Sequence, residues 1–291
     1  MMIRNLNESS LAVVSLLFSA SMWGIIWYPL RLLNEAGMMA VWSSLVIFLA
    51  AGVLAIPVFF RPDNNIATIR LELLILAIAA GITNVAFVVA LIEGEVMRMM
   101  LLFYLSPIWT VLLGRWWLGE KLSLRAVLIL CLAMCGSLVM LWHPDIGMPW
   151  PHGRADWLAL LASVAFSVNN VMVRKLRLVS MRLKTGVIWW GVVIVSVFVL
   201  VWQQEPIPSV SIQVWGGAWL LGWLGIVTMT IAALYGIARM PVYRSSVIML
   251  FELVVAAIAA WWLTNEVMSM QEWFGGCLIL FSAYKIARIE S

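Results

Sequence analysis

Glu252 is the single charged residue of an otherwise apolar stretch, residues 245–265. A carboxylate is costly to bury in hydrocarbon and usually faces a cavity or a partner. A carboxyl that gains and loses a proton as it meets each side of a membrane would couple solute movement to a proton gradient. It would equally bind a cationic group of a solute, or serve only to tie neighbouring helices together. Glu252 is therefore the first candidate functional residue.

Amides, phenols and indoles inside other apolar stretches complete the set of candidates. Buried polar groups need hydrogen-bond partners, so these side chains would either bond across helices or line a wet cavity and bind a solute. The tryptophans would wall a pocket for an aromatic or amphipathic solute, with packing or lipid contact as the alternative. The candidates are Asn84, Asn169, Asn170, Tyr104, Tyr235, Trp23, Trp27 and Trp109.

The sequence predicts no cofactor and no resident metal. Cys131 and Cys135 share one helix face, but no histidine or carboxylate joins them, so we predict that they pack. A loop near the chain midpoint carries His143, Asp145, His152 and Asp156, in a spacing that matches no metal motif. In the short outer turn between the third and fourth spans, Glu93, Glu95 and Arg98 are predicted to be solvated or paired with one another, with a gating contact as the alternative. No phosphate-binding loop sequence occurs, which disfavours ATP as the energy source.

The composition indicates the environment of these residues. Hydrophobic residues make up 64% of the 291 and charged residues only 11%, whereas soluble domains carry roughly 25% charged residues. A bilayer is the solvent that suits such a chain, and about 20 apolar residues cross its core. We predict an all-α integral membrane protein with ten transmembrane helices. They lie within residues 9–30, 36–60, 73–92, 99–114, 126–144, 157–173, 185–204, 212–238, 245–265 and 273–287.

The basic residues predict the orientation. Arg31, Arg98 and Arg154 are the three in the outer segments, and the other 15 of the 18 lie on the opposite side. Cytoplasmic segments carry such an excess of positive charge. We therefore expect a multi-pass protein of a bacterial inner membrane with both termini in the cytoplasm. The formal net charge of +4 is too small to suggest a nucleic-acid partner.

Short segments recur near the midpoint at nearly constant offset, which predicts two repeats, residues 1–145 and 146–291. Five crossings in each unit place the second copy in inverted orientation, as is common in secondary transporters. The matching pairs are Ala90-Leu91 with Ala233-Leu234, Trp116–Leu118 with Trp261–Leu263, and Glu120–Ser123 with Glu266–Ser269.

Pro107 is the counterpart of Glu252 in this repeat. Proline removes a backbone hydrogen bond and leaves the carbonyl of Phe103 free, so we predict a helix kink at Pro107. The second copy has Leu253 after Glu252 and no proline. We therefore expect the bend in the first copy only.

With these motifs the chain resembles the EamA family of the drug/metabolite transporter (DMT) superfamily, over nearly its whole length and as two EamA-like units. The family often has Glu-Pro where this chain has Glu252-Leu253. The resemblance implies transport of amino acids or other metabolites, more often export than import, without specifying the substrate. The matching segments are Trp23-Gly24, Leu105–Pro107, Leu118–Glu120, Phe251-Glu252, Trp261–Leu263, Glu266 and Gly275-Gly276.

We predict a secondary transporter that moves a small organic metabolite, such as an amino acid or an aromatic or amphipathic solute, across the inner membrane. It would work by alternating access of the two units around a midplane cavity, with export as the expected direction and Glu252 as the candidate proton carrier. The alternatives are a channel-like facilitator or an importer. An intramembrane enzyme is least favoured, because the spans contain no nucleophile–base pair. The expected partners are the lipid bilayer, the solute and protons, for a monomer or homodimer.

Overall fold

The computed structural model describes residues 2–60, 68–143, 150–264 and 268–288, and within these ranges the chain is helical with no strand. The predicted boundary between the repeats, at 145/146, lies outside them, as do Asp145 and Glu266. The helices of the first half are α1 (Met2–Glu35), α2 (Ala40–Phe59), α3 (Arg70–Glu93), α4 (Val96–Phe103), α5 (Ser106–Leu118) and α6 (Leu124–Leu141).

The second half repeats this order. The eighth span of the chain contains α9, a six-residue π-helical segment (Leu221–Ile226) and α10 in direct succession. The helices are α7 (Arg154–Lys175), α8 (Met181–Gln203), α9 (Ile212–Leu220), α10 (Val227–Ile237), α11 (Val242–Met249), α12 (Phe251–Leu263) and α13 (Met270–Ala287).

The ten predicted spans are confirmed. Nine helical stretches in the described ranges are long and apolar enough, by length and composition, to cross a membrane. The tenth is α13, which has 18 residues but is less apolar because Glu272 and Lys285 lie within it. The predicted caps are also confirmed, since Ser123 caps α6 and Ser269 with Glu272 forms a capping box at the start of α13.

Both copies have an interrupted helix at equivalent depth. In the first copy, the break between α4 and α5 falls at Tyr104–Leu105, and Pro107 is the second residue of α5. In the second copy, Leu250 separates α11 from α12. The expectation that only the first copy bends is wrong. The amide of Leu253 donates to the Leu250 carbonyl at 3.1 Å, a tight 3₁₀-type turn that needs no proline.

The helix contacts follow the inverted repeat. Helix α1 packs on α10 and α12 of the second half, and its counterpart α7 packs on α3 and α5 of the first. Helices α2 and α8 pack on each other, and so do the last helices of the two copies, α6 and α13. Gly136 and Gly275 let this last pair approach so closely that a Cβ on Gly136 would lie 2.9 Å from the Gly275 carbonyl oxygen. Helices of the two repeats are therefore interleaved.

Two ion pairs attach the α4–α5 span to α7. At one end, Arg98 donates to both carboxylate oxygens of Asp156 at 3.0 Å. At the other end, Glu120 pairs with Arg174 at 3.3 Å. The expectation that Arg98 is solvated or paired with Glu93 or Glu95 is therefore wrong, because the fold brings the more buried Asp156 to it.

Candidate functional site

Tyr104 and Glu252 meet where the two interrupted helices face each other. Tyr104 follows the last residue of α4, and its buried hydroxyl donates a hydrogen bond to Oε1 of Glu252. Glu252 is the second residue of α12, directly after the break at Leu250. Interrupted transmembrane helices leave backbone polar groups free near the midplane, and transporters bind solutes and ions at such places. The structure thus brings two predicted residues, one from each repeat, into direct contact.

Helix α1 crosses α12 at the same level. A Cβ built on Gly24 would lie 2.7 Å from the Glu252 carbonyl oxygen and 2.8 Å from the Val255 Cβ. Only a residue without a side chain permits this approach. The equivalent crossing in the other half is between α7 and α5, where the Ser167 hydroxyl donates to the Ser106 carbonyl at 2.8 Å. Trp23, partly buried, precedes the glycine and packs on the apolar core.

The predicted amides lie on the packed pair α3 and α7. Asn84 is on α3, and Asn169 and Asn170 are on α7. The Oδ1 atoms of all three are buried and accept no hydrogen bond from any described residue. Thr110 on α5, beside α7, likewise has a buried hydroxyl without a partner in the described part of the chain. Buried polar atoms that lack protein partners normally bind water or a ligand.

The other predicted side chains are spread along the spans. Tyr235 lies in the last turn of α10, where the Arg239 guanidinium stacks 3.5 Å from its ring centroid. Trp27 is partly buried and makes an edge contact with Tyr28 at 5.7 Å. Trp109 is on α5, with a buried indole N–H that has no acceptor among the described residues. Tyr235 therefore lies at the end of α10 beside Arg239, and Trp27 lies one turn along α1 from Gly24.

Two small cavities lie among the helices. The larger is about 80 Å³ and is lined by apolar side chains of α1 and the α9–α10 span, among them Met22 and Met229. The smaller is about 30 Å³, is lined by Tyr104 and Ser137, and has room for a water molecule. A pocket for an organic solute has about 300–1,000 Å³. Neither of these two cavities has room for an organic solute.

The histidines and carboxylates of the loop near the chain midpoint do not form a metal site within the described residues. Asp156 of the predicted loop cluster is held by Arg98, and the backbone amide of His152 also donates to it at 2.8 Å. Asp145 lies outside the described residues. The cysteines Cys131, Cys135 and Cys277 are exposed on the surface of the helix bundle. The prediction that Cys131 and Cys135 pack in the interior is therefore wrong. Across the described ranges, no three histidine, cysteine or carboxylate side chains cluster.

Two buried cations were missed from the sequence as candidates. Lys184 is only 1% exposed and Arg244 only 6% exposed. Both lie close to a span boundary, where basic residues usually reach water, and we counted them only among the basic residues of the cytoplasmic side. Helical phase could have found Lys184, which shares a buried face of α8 with Ile188 and Gly191. It could not have found Arg244, because every residue of α11 is buried.

Comparison with known proteins agrees with this architecture. The model of the EamA-like transporter family matches residues 10–142 and again 153–288. A search of curated proteins finds no match. Among solved structures, one described only as the crystal structure of a protein aligns with a TM-score of 0.72 and 18% identity, over 95% of this chain and 97% of that one. That similarity shows a shared fold. The two family matches cover nearly the whole chain, which therefore belongs to the EamA-like transporter family, a membrane transporter family of the DMT type.

Proposed function

We propose that this transporter moves a small organic metabolite, an amino acid or an aromatic or amphipathic solute, out of the cell by proton-coupled alternating access. The observation that carries the proposal is the hydrogen bond from Tyr104 to Glu252 between the interrupted helices of the two repeats. A titratable group at that contact can respond to a proton or a solute and change how the two helices hold each other.

The coupling follows from the chemistry of the carboxyl group. An ionised Glu252 accepts a charge-assisted hydrogen bond from Tyr104, and such bonds are roughly twice as strong as neutral ones. Protonation of the carboxyl weakens this bond, and a cationic group of the solute competes for it. Either event loosens α4 and α5 from α12. With export as the direction, the proton arrives from outside as the solute leaves.

The moving groups combine helices of both repeats. Arg98–Asp156, Glu120–Arg174 and the Ser167–Ser106 hydrogen bond fasten the α4–α5 span to α7 at both ends and in the middle. Helix α1 is fitted just as closely to α12 at Gly24. We infer that α4, α5 and α7 move together against α1 and α12, with the Tyr104–Glu252 bond as the latch between the two groups at the helix breaks. The bond from the Val242 amide of α11 to Glu120 would act as the pivot at the end of the span.

Polar and aromatic side chains near the latch would bind the solute once it opens. The oxygens of Asn84, Asn169 and Asn170 have no partner among the described residues, so they are available as acceptors. Trp23 and Trp109 offer indole faces for an aromatic solute, with Trp27 farther along α1. We propose that the protein acts as a monomer or homodimer in the bacterial inner membrane, with both termini in the cytoplasm and without nucleic acid.

Uptake into proteoliposomes tests the proposal. The purified chain is reconstituted, a pH gradient is imposed, and a panel of radiolabelled amino acids and aromatic amines is screened. Once a transported solute is found, Glu252→Gln is compared with the wild type and with Glu35→Gln, which removes an exposed carboxylate paired with Arg31. The control isolates the effect of position from the loss of one negative charge.

We expect Glu252→Gln to lose gradient-driven accumulation while Glu35→Gln keeps it. Full accumulation by Glu252→Gln, with unchanged dependence on the pH gradient, would overturn the coupling role of Glu252. Large ungated currents in bilayer recordings would instead favour a channel-like facilitator.

A further inference from the structure

Lys184 is a buried cation without a counter-charge. It is the fourth residue of α8, about 5 Å along the helix axis from Met181, and only 1% of its surface is exposed. In the described ranges no hydrogen bond or ion pair reaches its ammonium group. Helix α8 packs on α10, and Arg239, just beyond the end of α10, is near enough to Lys184 to repel it. A buried charge normally requires a partner.

The position of Lys184 on α8 prevents it from reaching lipid headgroups as boundary lysines commonly do. Residues seven apart lie on the same helix face, and the residue seven positions later is Gly191. A Cβ on Gly191 would lie 2.2 Å from the Ala77 carbonyl oxygen of α3, so this face of α8 packs into the protein. Ile188, between the two, is also buried. Lys184 therefore lies on the face of α8 that packs into the protein, at the end of the bundle.

Arg239 supplies a second positive charge at the same end. It follows α10, is exposed, and is held by Tyr235, whose carbonyl accepts from its Nη1 at 3.1 Å and whose ring lies under the guanidinium. The neighbouring Arg174 differs, because Glu120 neutralises it. Tyr235, predicted as a solute-binding residue, is thus the platform that fixes Arg239.

We propose that Lys184 and Arg239 form an anion-binding site at this end of the bundle, which takes the carboxylate or phosphate group of the solute. The inference rests on the proposed transport function and narrows its substrate to solutes with an anionic group, including amino acids. An oxyanion between the two cations supplies the missing counter-charge and accepts charge-assisted hydrogen bonds. An exposed arginine beside a buried lysine gives such a group a path from water to the interior.

Thermal unfolding of the purified full-length protein in neutral detergent micelles tests this site. The Tm is measured against increasing sodium benzoate or sodium phosphate, with sodium chloride at matched ionic strength as reference. The variants are Lys184→Met and Arg239→Gln, and the control is Lys121→Gln at an exposed lysine. Lys184→Met replaces an unpaired buried charge with an apolar chain of similar length, a change that is often neutral or stabilising.

We expect a saturable rise in Tm for the wild type and for Lys121→Gln. The apparent affinity should fall about tenfold or more in Lys184→Met and Arg239→Gln, the usual effect of losing a hydrogen bond to a charged group. The site is refuted if the wild type shows no saturable rise with either anion, or if Lys184→Met keeps the wild-type affinity.

A lipid arm identifies the source of the anion. The titration is repeated with phosphatidylglycerol added to the micelles. A Lys184-dependent rise with this lipid, and none with benzoate or phosphate, would overturn the assignment to a solute. Binding is measured without transport, so the two proposals fail separately. If anion binding persists while uptake is absent, the transport function is refuted and the anion site is not. If uptake occurs without Lys184-dependent binding, the anion site is refuted and the transport function is not.

Discussion

The Tyr104 hydroxyl donates to the Glu252 carboxyl across 148 positions of sequence, and this bond joins the broken span of one repeat to the broken span of the other. Both residues lie at a helix break, and α1 passes over Glu252 without an intervening side chain because residue 24 is glycine. The Glu252 carboxyl is therefore bonded to a phenol, while the backbone of the same residue is packed against α1. A change in its charge acts directly on the contact between the repeats.

Removing the Tyr104 hydroxyl should weaken the contact between the α4–α5 span and the α11–α12 span. We expect Tyr104→Phe and Glu252→Gln each to reduce the free energy of unfolding by about 1.5–3 kcal/mol, the range for hydrogen bonds to charged groups. Because both changes remove one interaction, the double variant should lose less than the sum of the single losses. Chemical denaturation in micelles measures the cycle, with Tyr284→Phe, at a half-exposed position, as the control. Strict additivity would show that the bond contributes nothing.

Any side chain at residue 24 should separate α1 from α12. The Cβ of Gly24→Ala would stand 2.7 Å from a backbone oxygen, which cannot move away as a flexible side chain can. We expect transport to fall several-fold and Tm to drop, because overpacking typically costs about 1–3 kcal/mol. Gly216→Ala on α9 is the matched control, since its Cβ would meet nothing within 4 Å. An unchanged Tm in Gly24→Ala would show that the crossing is loose.

The spans were predictable from the sequence because the bilayer fixes the length of each crossing and excludes charge. Glu252 and Tyr104 were both identified as candidates for the same reason, since a polar group in such a span is conspicuous. Their contact was not predicted, because nothing local to either residue reports a partner in the other repeat. The pairing of Arg98 with Asp156, 58 positions away, was missed in the same way.

The break at Leu250 illustrates a second limit. Proline marked the first break because its missing N–H has a local consequence, whereas residues 248–253 are ordinary apolar helix formers apart from Glu252. The second break is a turn of the backbone in the packed bundle, so its cause lies in tertiary contacts. Lys184 was not identified as a candidate because a lysine at a span boundary usually reaches water, and only the packing of α8 on α3 shows that this one is buried.

The Glu120 carboxylate should stabilise the end of the α4–α5 span that lies opposite Arg98. It pairs with Arg174 and accepts the amide of Val242 at 2.8 Å, the first residue of α11. We expect Glu120→Gln to lower the free energy of unfolding by about 1–3 kcal/mol, because glutamine carries no charge and keeps only one of the two acceptor oxygens that serve Arg174 and the Val242 amide. Glu72→Gln is the control, since its pair with Lys175 is more exposed and such pairs contribute about 0–1 kcal/mol. Equal losses in the two variants would contradict this ranking.

The amide of Asn170 should matter for transport more than for folding. Its side chain is 2% exposed and its oxygen has no partner among the described residues, so Asn170→Leu removes a polar group that stabilises nothing within the protein. We expect Tm to stay level or rise, because exchanging an unsatisfied polar group for an apolar one of similar shape is neutral or favourable.

Ser167→Ala, one turn earlier on α7, provides the contrast. The Ser167 hydroxyl donates to the Ser106 carbonyl, so its loss should cost about 1 kcal/mol of stability. Uptake in proteoliposomes should fall strongly in Asn170→Leu and only mildly in Ser167→Ala, the reverse of the Tm order. If Asn170→Leu instead unfolds at lower temperature and transports normally, the amide is a structural group and the solute path lies elsewhere.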